Sequence, residues 1–529
     1  MINTRLKTKQ AVAKLLYNHV AENVDGKLDR RDRREVIREI IDLLDDQNVF
    51  KKQENFFLLT DFYKQTHWMQ TPNGTSEIYS YYENRNSIFP KQVFFGLSYI
   101  LQEYFEGVVA RQWMIDEARQ RVLEESGFDY FNLIGAQRIV DVHGGRLPLE
   151  IKAAPEGSII PTGNVLFTLR NTDPLLPFLT NYVESIIMQV YSTIGTATLS
   201  FYIRKLGEKW GKVTGVEMHS FFLTDFGLRG GSSLETSKKN GGAHLLVFKG
   251  SDNEPAQSWL TEYYNAPTVL GSVFATEHST TTIWGRDGEK DAVRKWITEA
   301  PESAVLSFVI DSYNYKEFIT KILGDPEIKA LIMGRSGKIV ARPDSGIPNL
   351  VAKNCLDLLA STFGFSMNDN YKVLDPHVGL IYGDGINYDS INLILKTIVE
   401  GGYCVSNIIF GMGGALIQGI NRDSNGVAIK CAHGIVNGVP IDVYKDPIGG
   451  GKKSKKGYQK LHPTMNSFMT FSSADMPSAQ FTGYVDSLKT VFLNGDLLIK
   501  PNYVDIKKLF EFYADLEPAK FYGTELDHL

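Results

Sequence analysis

The chain has 529 residues, of which 43% are hydrophobic and 22% are charged, and its formal net charge at pH 7 is −5. This composition is typical of a globular protein with two or three lobes, because single hydrophobic cores stop growing near about 250 to 300 residues. The negative charge argues against a nucleic-acid-binding protein that relies on a global positive field, so no nucleic-acid partner is expected.

The spacing of the cysteines and the distribution of apolar residues indicate the cellular compartment in which the protein is expected. Cys355, Cys404 and Cys431 lie far apart without CxxC spacing, which argues against a zinc site and favours a reducing compartment. The first residues, MINTRLKTKQ, lack the apolar stretch that secretion requires. The weakly polar run 403–420 is interrupted by Gly, Ser, Asn and Gln, so it cannot span a bilayer. We therefore predict a cytoplasmic protein without a membrane partner.

Two regions precede the repeating part of the chain. Residues 1–50 alternate charged and aliphatic positions at helical spacing, which predicts a helical N-terminal extension. Residues 51–210 predict an α+β lobe: an aromatic-rich beginning, short strands between Leu147 and Leu169, and a helix from Asn181 to Leu206. We expect this lobe to contribute to a dimer and to the substrate site.

Residues 211–450 contain short apolar runs that each end in glycine or a charged residue. Intervals of 26 to 40 residues separate the ends of these runs, enough for one strand, one helix and two loops. Continuous apolar runs are typical of parallel strands buried on both faces. The predicted fold class is therefore α/β, with a barrel-like or doubly wound βα core. Residues 451–529 add a basic loop and a C-terminal segment that packs back on this core. The runs end at Asp252, His278, Asp311, Asp344, Asp384 and Gly411.

The ends of these runs are the candidate functional positions, because loops converge at the carboxyl ends of parallel strands. Glu277 and His278 end the run GSVFATEH, although a histidine in a loop can also be satisfied by the backbone alone. The aspartates could instead cap the helices that follow them. Their carboxylates suit Mg²⁺ shared with substrate phosphates, with Asp311 and Asp344 as candidate ligands.

Two glycine-containing segments predict phosphate binding. Gly413 and Gly414 lead into an apolar segment, so they could open a helix whose N–H groups face an anion. The loop GGGKKSKKG, from Gly449 to Gly457, could clamp a polyphosphate or could simply be a solvated loop. No P-loop, nucleophile-elbow or zincin motif occurs. The residues alone favour an enzyme that acts on a phosphorylated, ribose-containing substrate with Mg²⁺.

Eight segments occur together and in order: DFYKQTHW, TDFGLRGGSSLET, HLLVFKGSD, ATEHST, RPDSG, GDG, FGMGG and YKDP. With these motifs, the chain from about Asn55 to Gly495 resembles the nicotinamide phosphoribosyltransferases, a family of dimeric type II phosphoribosyltransferases. The resemblance implies transfer of the phosphoribosyl group of PRPP to nicotinamide, giving nicotinamide mononucleotide and pyrophosphate in NAD biosynthesis. It also implies a homodimer with shared active sites.

The resemblance assigns roles to individual residues by motif. It implies that Phe226 and a Tyr63 from the neighbouring subunit sandwich the pyridine ring, and that Asp252, Ser307 and Arg342 also contact nicotinamide. The residues implied for ribose, phosphate and pyrophosphate are Arg229, Asp344, Gly383, Asp384, Gly413, Gly414, Arg85, Arg422, Lys430, Lys445 and Lys452; Lys453 is an alternative to Lys452.

The resemblance further implies that ATP, as a co-substrate, phosphorylates His278, with Glu277 and Asp311 orienting the imidazole. Alternatively, His278 contacts pyrophosphate only electrostatically. Gly379 stands where vertebrate-type members carry arginine, which predicts the loss of one nucleotide-phosphate contact.

Asp252 predicts which base the protein prefers. A carboxylate accepts a hydrogen bond from a carboxamide NH₂ group but repels the carboxylate of nicotinate, so nicotinamide is the expected substrate. Two alternatives remain: a nicotinate phosphoribosyltransferase, and a non-catalytic dimeric binding protein on the same fold.

Overall fold

The computed structural model describes residues 54–448 and 453–519. The predicted extension at residues 1–50 and the predicted phosphate ligand Lys452 lie outside these ranges. The described strands are β1 (Thr75–Asn84), β2 (Lys91–Val93), β3 (Leu149–Ala153), β4 (Ile159–Pro161), β5 (Val165–Asn171), β6 (Leu223–Asp225), β7 (Gly250–Ser251), β8 (Phe274–Ala275), β9 (Leu306–Val309), β10 (Ile339–Arg342), β11 (Phe365–Asn368), β12 (Tyr371–Leu374), β13 (Val378–Tyr382), β14 (Ile408–Met412), β15 (Val427–Val436), β16 (Val439–Asp442), β17 (Gln459–Pro463), β18 (Phe468–Ser472), β19 (Lys489–Leu493) and β20 (Asp496–Leu497).

Helices flank and connect these strands. They are α1 (Leu97–Tyr104), α2 (Gln112–Ser126), α3 (Leu133–Asp141), α4 (Leu179–Tyr182), α5 (Glu184–Ile187), α6 (Tyr191–Thr214), α7 (Leu234–Leu245), α8 (Glu254–Tyr264), α9 (His278–Thr282), α10 (Glu289–Glu299), α11 (Tyr315–Glu317), α12 (Pro326–Met333), α13 (Pro348–Phe363), α14 (Tyr388–Glu400), α15 (Gly414–Gln418), α16 (Ser478–Gly483) and α17 (Tyr503–Leu516).

The larger part of the active-site scaffold is a parallel sheet in the order β7-β6-β14-β13-β10-β9-β8. All of its neighbouring strands pair in parallel. A parallel bridge between Gly250 and Gly271 brings the segment that leads into β8 alongside β7, so the two edges of the sheet meet. The predicted barrel-like α/β core is therefore confirmed. β6, which the six predicted runs omit, is an additional strand of this core.

An antiparallel sheet forms the second lobe, in the order β16-β15-β1-β5-β3-β19-β20. β1 lies at its centre and pairs with β15 and β5. The aromatic residues predicted to pack here do so: Tyr81 and Tyr82 are fully buried, and Tyr82 stacks on Phe167 with ring centroids 4.6 Å apart. β15 and β16 fall within residues 211–450, the predicted barrel region, yet they pair in this sheet because the chain returns to β1 after α15.

The helices between the parallel strands have amphipathic sequences and bury one apolar face. α10 buries Val293 and Ile297. α14 begins at Asn387, whose side chain accepts a hydrogen bond from Ser390 N at 2.9 Å. Such an N-cap satisfies one of the free N–H groups of the first turn. The strand tips are thus supported by helices packed on the outer face of the sheet.

A long apolar helical stretch, Leu179–Thr214, lies at the centre of the molecule. Its length and composition would suffice to cross a membrane, but 83% of its most apolar window is buried inside the protein, as in the core helix of a globular fold. At the other end of the chain, α17 packs against α7: the Tyr503 hydroxyl donates to Leu245 O at 2.7 Å, and Lys507 Nζ donates to Leu246 O at 2.6 Å.

Candidate active site

A cavity of about 530 Å³ lies along the interior of the barrel, and its lining extends from residues that precede the strands, such as Val405 and Ser406, to residues at their carboxyl ends, such as Asp252 and Arg342. Four of the five residues predicted to bind nicotinamide line it: Phe226, Asp252, Ser307 and Arg342. Phe226 and Asp252 follow β6 and β7, and Arg342 ends β10, which is the arrangement expected where βα loops converge, whereas Ser307 lies within β9. The rest of the wall is largely apolar, as in most small-molecule sites.

The ring of Phe226 forms one wall of the cavity because two glycines leave it space. A Cβ at Gly411 would lie 1.9 Å from Phe226 Cε2, and one at Gly383 would lie 3.2 Å away. Phe226 N also donates to Met412 O at 2.9 Å, which fixes its backbone to β14. The glycines predicted from the FGMGG and GDG motifs therefore also serve to seat an aromatic ring.

Two polar atoms in this cavity are buried without a partner among the described residues: Ser307 Oγ and Arg342 Nε. Arg342 is held by a hydrogen bond from Nη2 to Thr276 O at 2.9 Å. An unsatisfied buried polar group costs about 1–3 kcal/mol, so such atoms indicate a polar ligand. A heteroaromatic ring with a polar substituent fits this combination of an aromatic wall and unpaired donors.

Asp252 lies at the exposed end of β7, and the Ser272 hydroxyl donates to its Oδ1. Its backbone N donates to Asp225 O at 2.9 Å, which ties the tip of β7 to that of β6. Ser272 was not predicted as a site residue; its position one residue after Gly271 in GSVFATEH was the available signal.

His278 is the first residue of α9, and its Nε2 lies 3.2 Å from Asp311 Oδ1. The other oxygen of Asp311 accepts from Asp344 N at 2.9 Å and from the Ser345 hydroxyl at 2.5 Å. Asp311 thus joins the tips of β8 and β10. The imidazole is 46% exposed, so it remains accessible to a reactant.

Glu277 occupies a different place from the one predicted for it. Its carboxylate accepts from the Ser279 hydroxyl, and its backbone N donates to Thr280 Oγ1 at 3.2 Å. Glu277 therefore caps α9, and the carboxylate in contact with the imidazole is that of Asp311. The reason is geometric, because an N-cap side chain turns towards the first helical turn.

Asp344 is the available carboxylate for a substrate-bound cation. Burial raises the pKa of Asp344, the neighbouring Arg342 lowers it, and Asp311 and Asp384 raise it further. No group of three acidic, histidine or cysteine side chains suited to a metal ion occurs in the described part of the chain. Mg²⁺ commonly uses one or two carboxylates together with substrate phosphates, and Asp344 fits that pattern. Asp311 fits it less well, since both of its oxygens are engaged.

The predicted phosphate loop and Arg229 lie against each other. Gly413 precedes α15, as the sequence predicts for a glycine loop that opens a helix. Arg229 is exposed in the turn Leu228–Gly230, and a Cβ at Gly230 would lie 2.8 Å from the Cα of Gly414. This close approach brings the turn with Arg229 onto the glycine loop.

The predicted pyrophosphate cations lie in the antiparallel lobe. Burial lowers the pKa of Lys430 on β15; Glu184 raises it, and the charges of Arg85, Arg422 and Lys64 lower it further. We call Arg85, Arg422 and Lys430, together with Lys64, the cationic cluster. Among the described residues, no hydrogen bond or ion pair joins this cluster to the tips of the parallel strands. Lys445 is exposed at the start of the basic loop, where its N donates to Ser454 Oγ at 2.8 Å.

Tyr63 is also separate from the cavity within one chain. Its ring is 61% exposed and packs edge-on against His67 with centroids 4.8 Å apart. It is not among the residues that line the cavity beside Phe226. The structure thus does not bring the predicted aromatic pair together within a single chain.

Gly379 lies near the amino end of β13, away from Gly383 and Asp384, which follow its carboxyl end. It is the second residue of β13 and pairs with Val340, and a Cβ there would lie 3.2 Å from Lys338 Cδ. With a rise of about 3.3 Å per residue, it is roughly 13 Å from Gly383 at the carboxyl end of the strand. The loss of a nucleotide-phosphate contact at Gly379 stays a prediction.

The chain is similar to known proteins over most of its length. Residues 221–496 match the sequence profile of the nicotinate phosphoribosyltransferase (NAPRTase) family, and residues 55–151 match that of the nicotinamide phosphoribosyltransferase N-terminal domain. A nicotinamide phosphoribosyltransferase of Xanthomonas campestris pv. campestris is 38% identical over 452 residues, which are 84% of this chain and 96% of that protein.

Two further comparisons agree on family and fold. A nicotinamide phosphoribosyltransferase of Acinetobacter baylyi is 31% identical over 489 residues, covering 85% of this chain and 95% of that protein. The crystal structure of nicotinate-nucleotide pyrophosphorylase from Pyrococcus furiosus has a TM-score of 0.54 at 13% identity, covering 89% and 96% of the two chains, and shares the fold. The chain therefore belongs to the nicotinamide phosphoribosyltransferase family, which its resemblance had predicted.

Proposed function

We propose that this protein transfers the phosphoribosyl group of PRPP to nicotinamide, forming nicotinamide mononucleotide and pyrophosphate in NAD biosynthesis. The observation that carries the proposal is the cavity lined by Phe226 and Asp252, with Ser307 Oγ and Arg342 Nε buried and unpartnered in it. A carboxamide-bearing aromatic ring offers the stacking face, the NH₂ donor and the carbonyl acceptor that these groups require.

In this reaction the pyridine nitrogen attacks C1′ of the ribose. The C1′–N bond forms with the nitrogen lone pair, and the C1′–O bond breaks with its electron pair leaving on pyrophosphate. Because the ring nitrogen is already nucleophilic, no strong base is needed, and the protein's tasks are positioning and charge stabilisation. Asp344 and Asp384 are proposed to stabilise the positive charge that develops on the ribose.

Mg²⁺ bound to the phosphates of PRPP would neutralise part of the charge of the leaving group. Within this chain, Asp344 is the carboxylate proposed to hold the metal-bound substrate at the rim. Gly413 and Gly414 are proposed to bind the nucleotide phosphate through backbone N–H groups, with Arg229 beside them.

We also propose a homodimer with shared active sites. The exposed Tyr63 and the cationic cluster lie apart from the cavity of their own chain, which supports their use in the cavity of a second copy. Tyr63 would then stack on the pyridine ring opposite Phe226, and Arg85, Arg422 and Lys430 would bind pyrophosphate with Lys445 and Lys452. A cytoplasmic location is also proposed.

ATP is proposed as a co-substrate that phosphorylates His278. The exposed imidazole and its 3.2 Å contact with Asp311 Oδ1 support this role, because a carboxylate on one ring nitrogen makes the other more nucleophilic. Incubation with γ-labelled ATP should give an acid-labile label on the wild type and none on His278→Ala. An unlabelled wild type would leave His278 with the electrostatic role only.

Product analysis tests the main proposal. The protein is incubated with PRPP and either nicotinamide or nicotinate, each with and without ATP, and mononucleotides and pyrophosphate are separated by chromatography. We expect nicotinamide mononucleotide as the main product. Preferential formation of the nicotinate product would favour the related acid-specific activity, and no pyrophosphate release with either base would indicate a non-catalytic binding protein.

A further inference from the structure

Asp225, the last residue of β6, carries a side chain that no sequence motif assigned. The residue is fully buried, and its two carboxylate oxygens each accept a hydrogen bond: Oδ1 from Gly227 N at 2.6 Å and Oδ2 from Asn253 Nδ2 at 3.0 Å. Burying a carboxylate is costly unless its hydrogen bonds are satisfied. No cation pairs with Asp225 among the described residues, so the two N–H donors are what hold it in place.

These two donors belong to the two walls of the cavity. Gly227 directly follows Phe226, the aromatic wall, and Asn253 directly follows Asp252, the predicted acceptor for the carboxamide. The backbone makes the same connection, because Asp252 N donates to Asp225 O at 2.9 Å. One side chain therefore connects the segment carrying the ring to the segment carrying the acceptor.

Neighbouring groups restrict the movement of this connection. Asn253 Nδ2 also donates to Ser237 O at 2.9 Å, which fixes it to α7. A Cβ at Gly241 of the same helix would lie 2.8 Å from Asp225 Oδ2, so the helix packs closely against the carboxylate. The hydrogen bond of Phe226 N to Met412 O supports the opposite side. Asp225 thus has little freedom to adopt another conformation.

We propose that Asp225 is a positioning residue that sets the separation between Phe226 and Asp252, and through it the affinity for nicotinamide and the preference for the amide over the acid. This inference rests on the proposed function. Asp225 acts through the residues on either side of it, since it does not itself line the cavity.

Asp225→Asn tests the proposal with little change in volume. An amide has one acceptor oxygen, and its NH₂ group faces an N–H donor, so one of the two connections must be lost. We expect KM for nicotinamide to rise at least about tenfold, because a charge-assisted hydrogen bond that holds one wall of the cavity is lost. KM for PRPP should change less than about twofold, and the ratio of kcat/KM for nicotinamide over nicotinate should fall by the same order as the affinity.

Glu156→Gln is the matched control. Glu156 lies in the antiparallel lobe, where its carboxylate likewise accepts two backbone hydrogen bonds, from Gly96 N at 3.2 Å and Ser98 N at 2.6 Å. Its substitution makes the same chemical change at a carboxylate with no connection to the cavity, so KM for nicotinamide should remain unchanged. Asn253→Ala, which removes the connection from the other side, serves as the second test if Asp225→Asn does not fold.

The outcomes separate this inference from the proposed function. The wild type is assayed first for nicotinamide mononucleotide formation and, by calorimetry, for nicotinamide binding. If the wild type is active but folded Asp225→Asn or Asn253→Ala retains its nicotinamide KM and selectivity, the positioning role is wrong. A fall in kcat alone, or an equal rise in both KM values, would mean a merely structural role and would also overturn it. If the wild type forms no product, the proposed function fails, and the calorimetric comparison still decides whether Asp225 affects nicotinamide binding.

Discussion

The two seven-stranded sheets of this molecule present opposite charges. The parallel barrel ends in carboxylates, with Asp252, Asp311, Asp344 and Asp384 following four of its strands. The antiparallel lobe gathers the cationic cluster around Lys430. The parallel architecture places strand ends on one rim, whereas the long antiparallel strands β1 and β15 carry charges at their sides. A transfer in which positive charge develops on the ribose and negative charge on the leaving group needs both.

The pKa shifts of the two regions mirror each other. At Asp344, burial and the charges of Asp311 and Asp384 raise the pKa against the lowering by Arg342. At Lys430, burial and the cations around it lower the pKa against the raising by Glu184. Each region therefore keeps like charges close together, a condition that a ligand of opposite charge relieves. Because the two regions carry opposite charges, we infer that neither lobe alone forms the site proposed for PRPP.

Removing a carboxylate charge from the barrel rim should have the largest effect on the rate of the reaction. Asp344→Asn is expected to lower kcat by about 10²–10³-fold, the range found when one group that stabilises transition-state charge is removed. Steady-state kinetics with saturating nicotinamide and PRPP measure it. Asp375→Asn is the control, because Asp375 bonds His377 N at 2.9 Å just before β13, at the opposite end of the barrel. Equal losses in both variants would contradict the assignment of the rim.

Removing charge from the cationic cluster should affect PRPP more than nicotinamide. Lys430→Ala is expected to raise KM for PRPP by about 10- to 100-fold, since charge-assisted contacts to phosphate contribute roughly 1.5–3 kcal/mol. Lys489→Ala, an exposed lysine of β19 in the same sheet, should leave KM unchanged.

Mixing the two variants tests whether the regions meet across subunits. If each site combines the rim of one chain with the cluster of another, re-associated Asp344→Asn and Lys430→Ala chains form hybrid dimers with one intact site. Activity should then recover to about a quarter of the wild-type value in an equal mixture. Recovery no greater than the average of the two variants would mean that each chain builds its site alone.

The sequence predicted the barrel rim better than the lobe that faces it. The continuous apolar runs before Asp311 and Asp344 mark the buried strands β9 and β10, so the meeting of their ends at one rim follows from the fold class. The run before Asp252 instead lies at the end of α7 and in the turn after it, and the two residues of β8 before His278 are exposed. β6 was missed as a repeat because a short turn, Leu228–Gly230, comes between it and the next helix. The role of Asp225 depends on Asn253, two residues after β7, and that contact becomes visible only when β6 and β7 are paired.

The pairing of strands was the other feature that the sequence pattern did not predict. β15 reads as one more apolar run after the glycine loop, and nothing local indicates that it pairs antiparallel with β1, more than 340 residues earlier. Similarly, the motif ATEH does not distinguish which acid contacts the imidazole. The structure shows that Asp311 does so, because Glu277 is used by its own helix.

Substitution of Asp252 should have a smaller effect, limited to the selectivity between nicotinamide and nicotinate. Asp252→Ser is expected to reduce the preference for nicotinamide over nicotinate by about tenfold, because the repulsion of a substrate carboxylate is lost together with one charged acceptor. A competition assay with both bases measures the ratio of the two mononucleotides. Ser272→Ala, which removes the hydroxyl bonded to Asp252 Oδ1, should shift the ratio in the same direction but less. Unchanged selectivity in Asp252→Ser would remove Asp252 from the base site.

The smallest expected effect is on the pH dependence of stability, for which one buried carboxylate from each region can be compared. Burial raises the pKa of Asp225 to about 6; the hydrogen bonds from Asn253 and Gly227 lower it, and the charge of Asp252 raises it. Since the folded protein binds this proton more tightly than the unfolded chain, the contribution is present at low pH and is lost as pH rises through about 6. Between pH 7 and pH 5 the wild type should gain about 1.3 kcal/mol over Asp225→Asn, from the linkage of proton binding to folding.

Urea-unfolding midpoints of the two proteins, measured side by side at both pH values, give this difference. Burial also raises the pKa of Glu156, so Glu156→Gln in the antiparallel lobe should show a dependence of the same sign. The two lobes would then agree in the pH dependence of their stability while differing in function, because only Asp225 connects the walls of a cavity. A difference between wild type and Asp225→Asn that does not vary with pH would mean that Asp225 keeps an ordinary pKa, and that its two hydrogen bonds fully offset the cost of burying its charge.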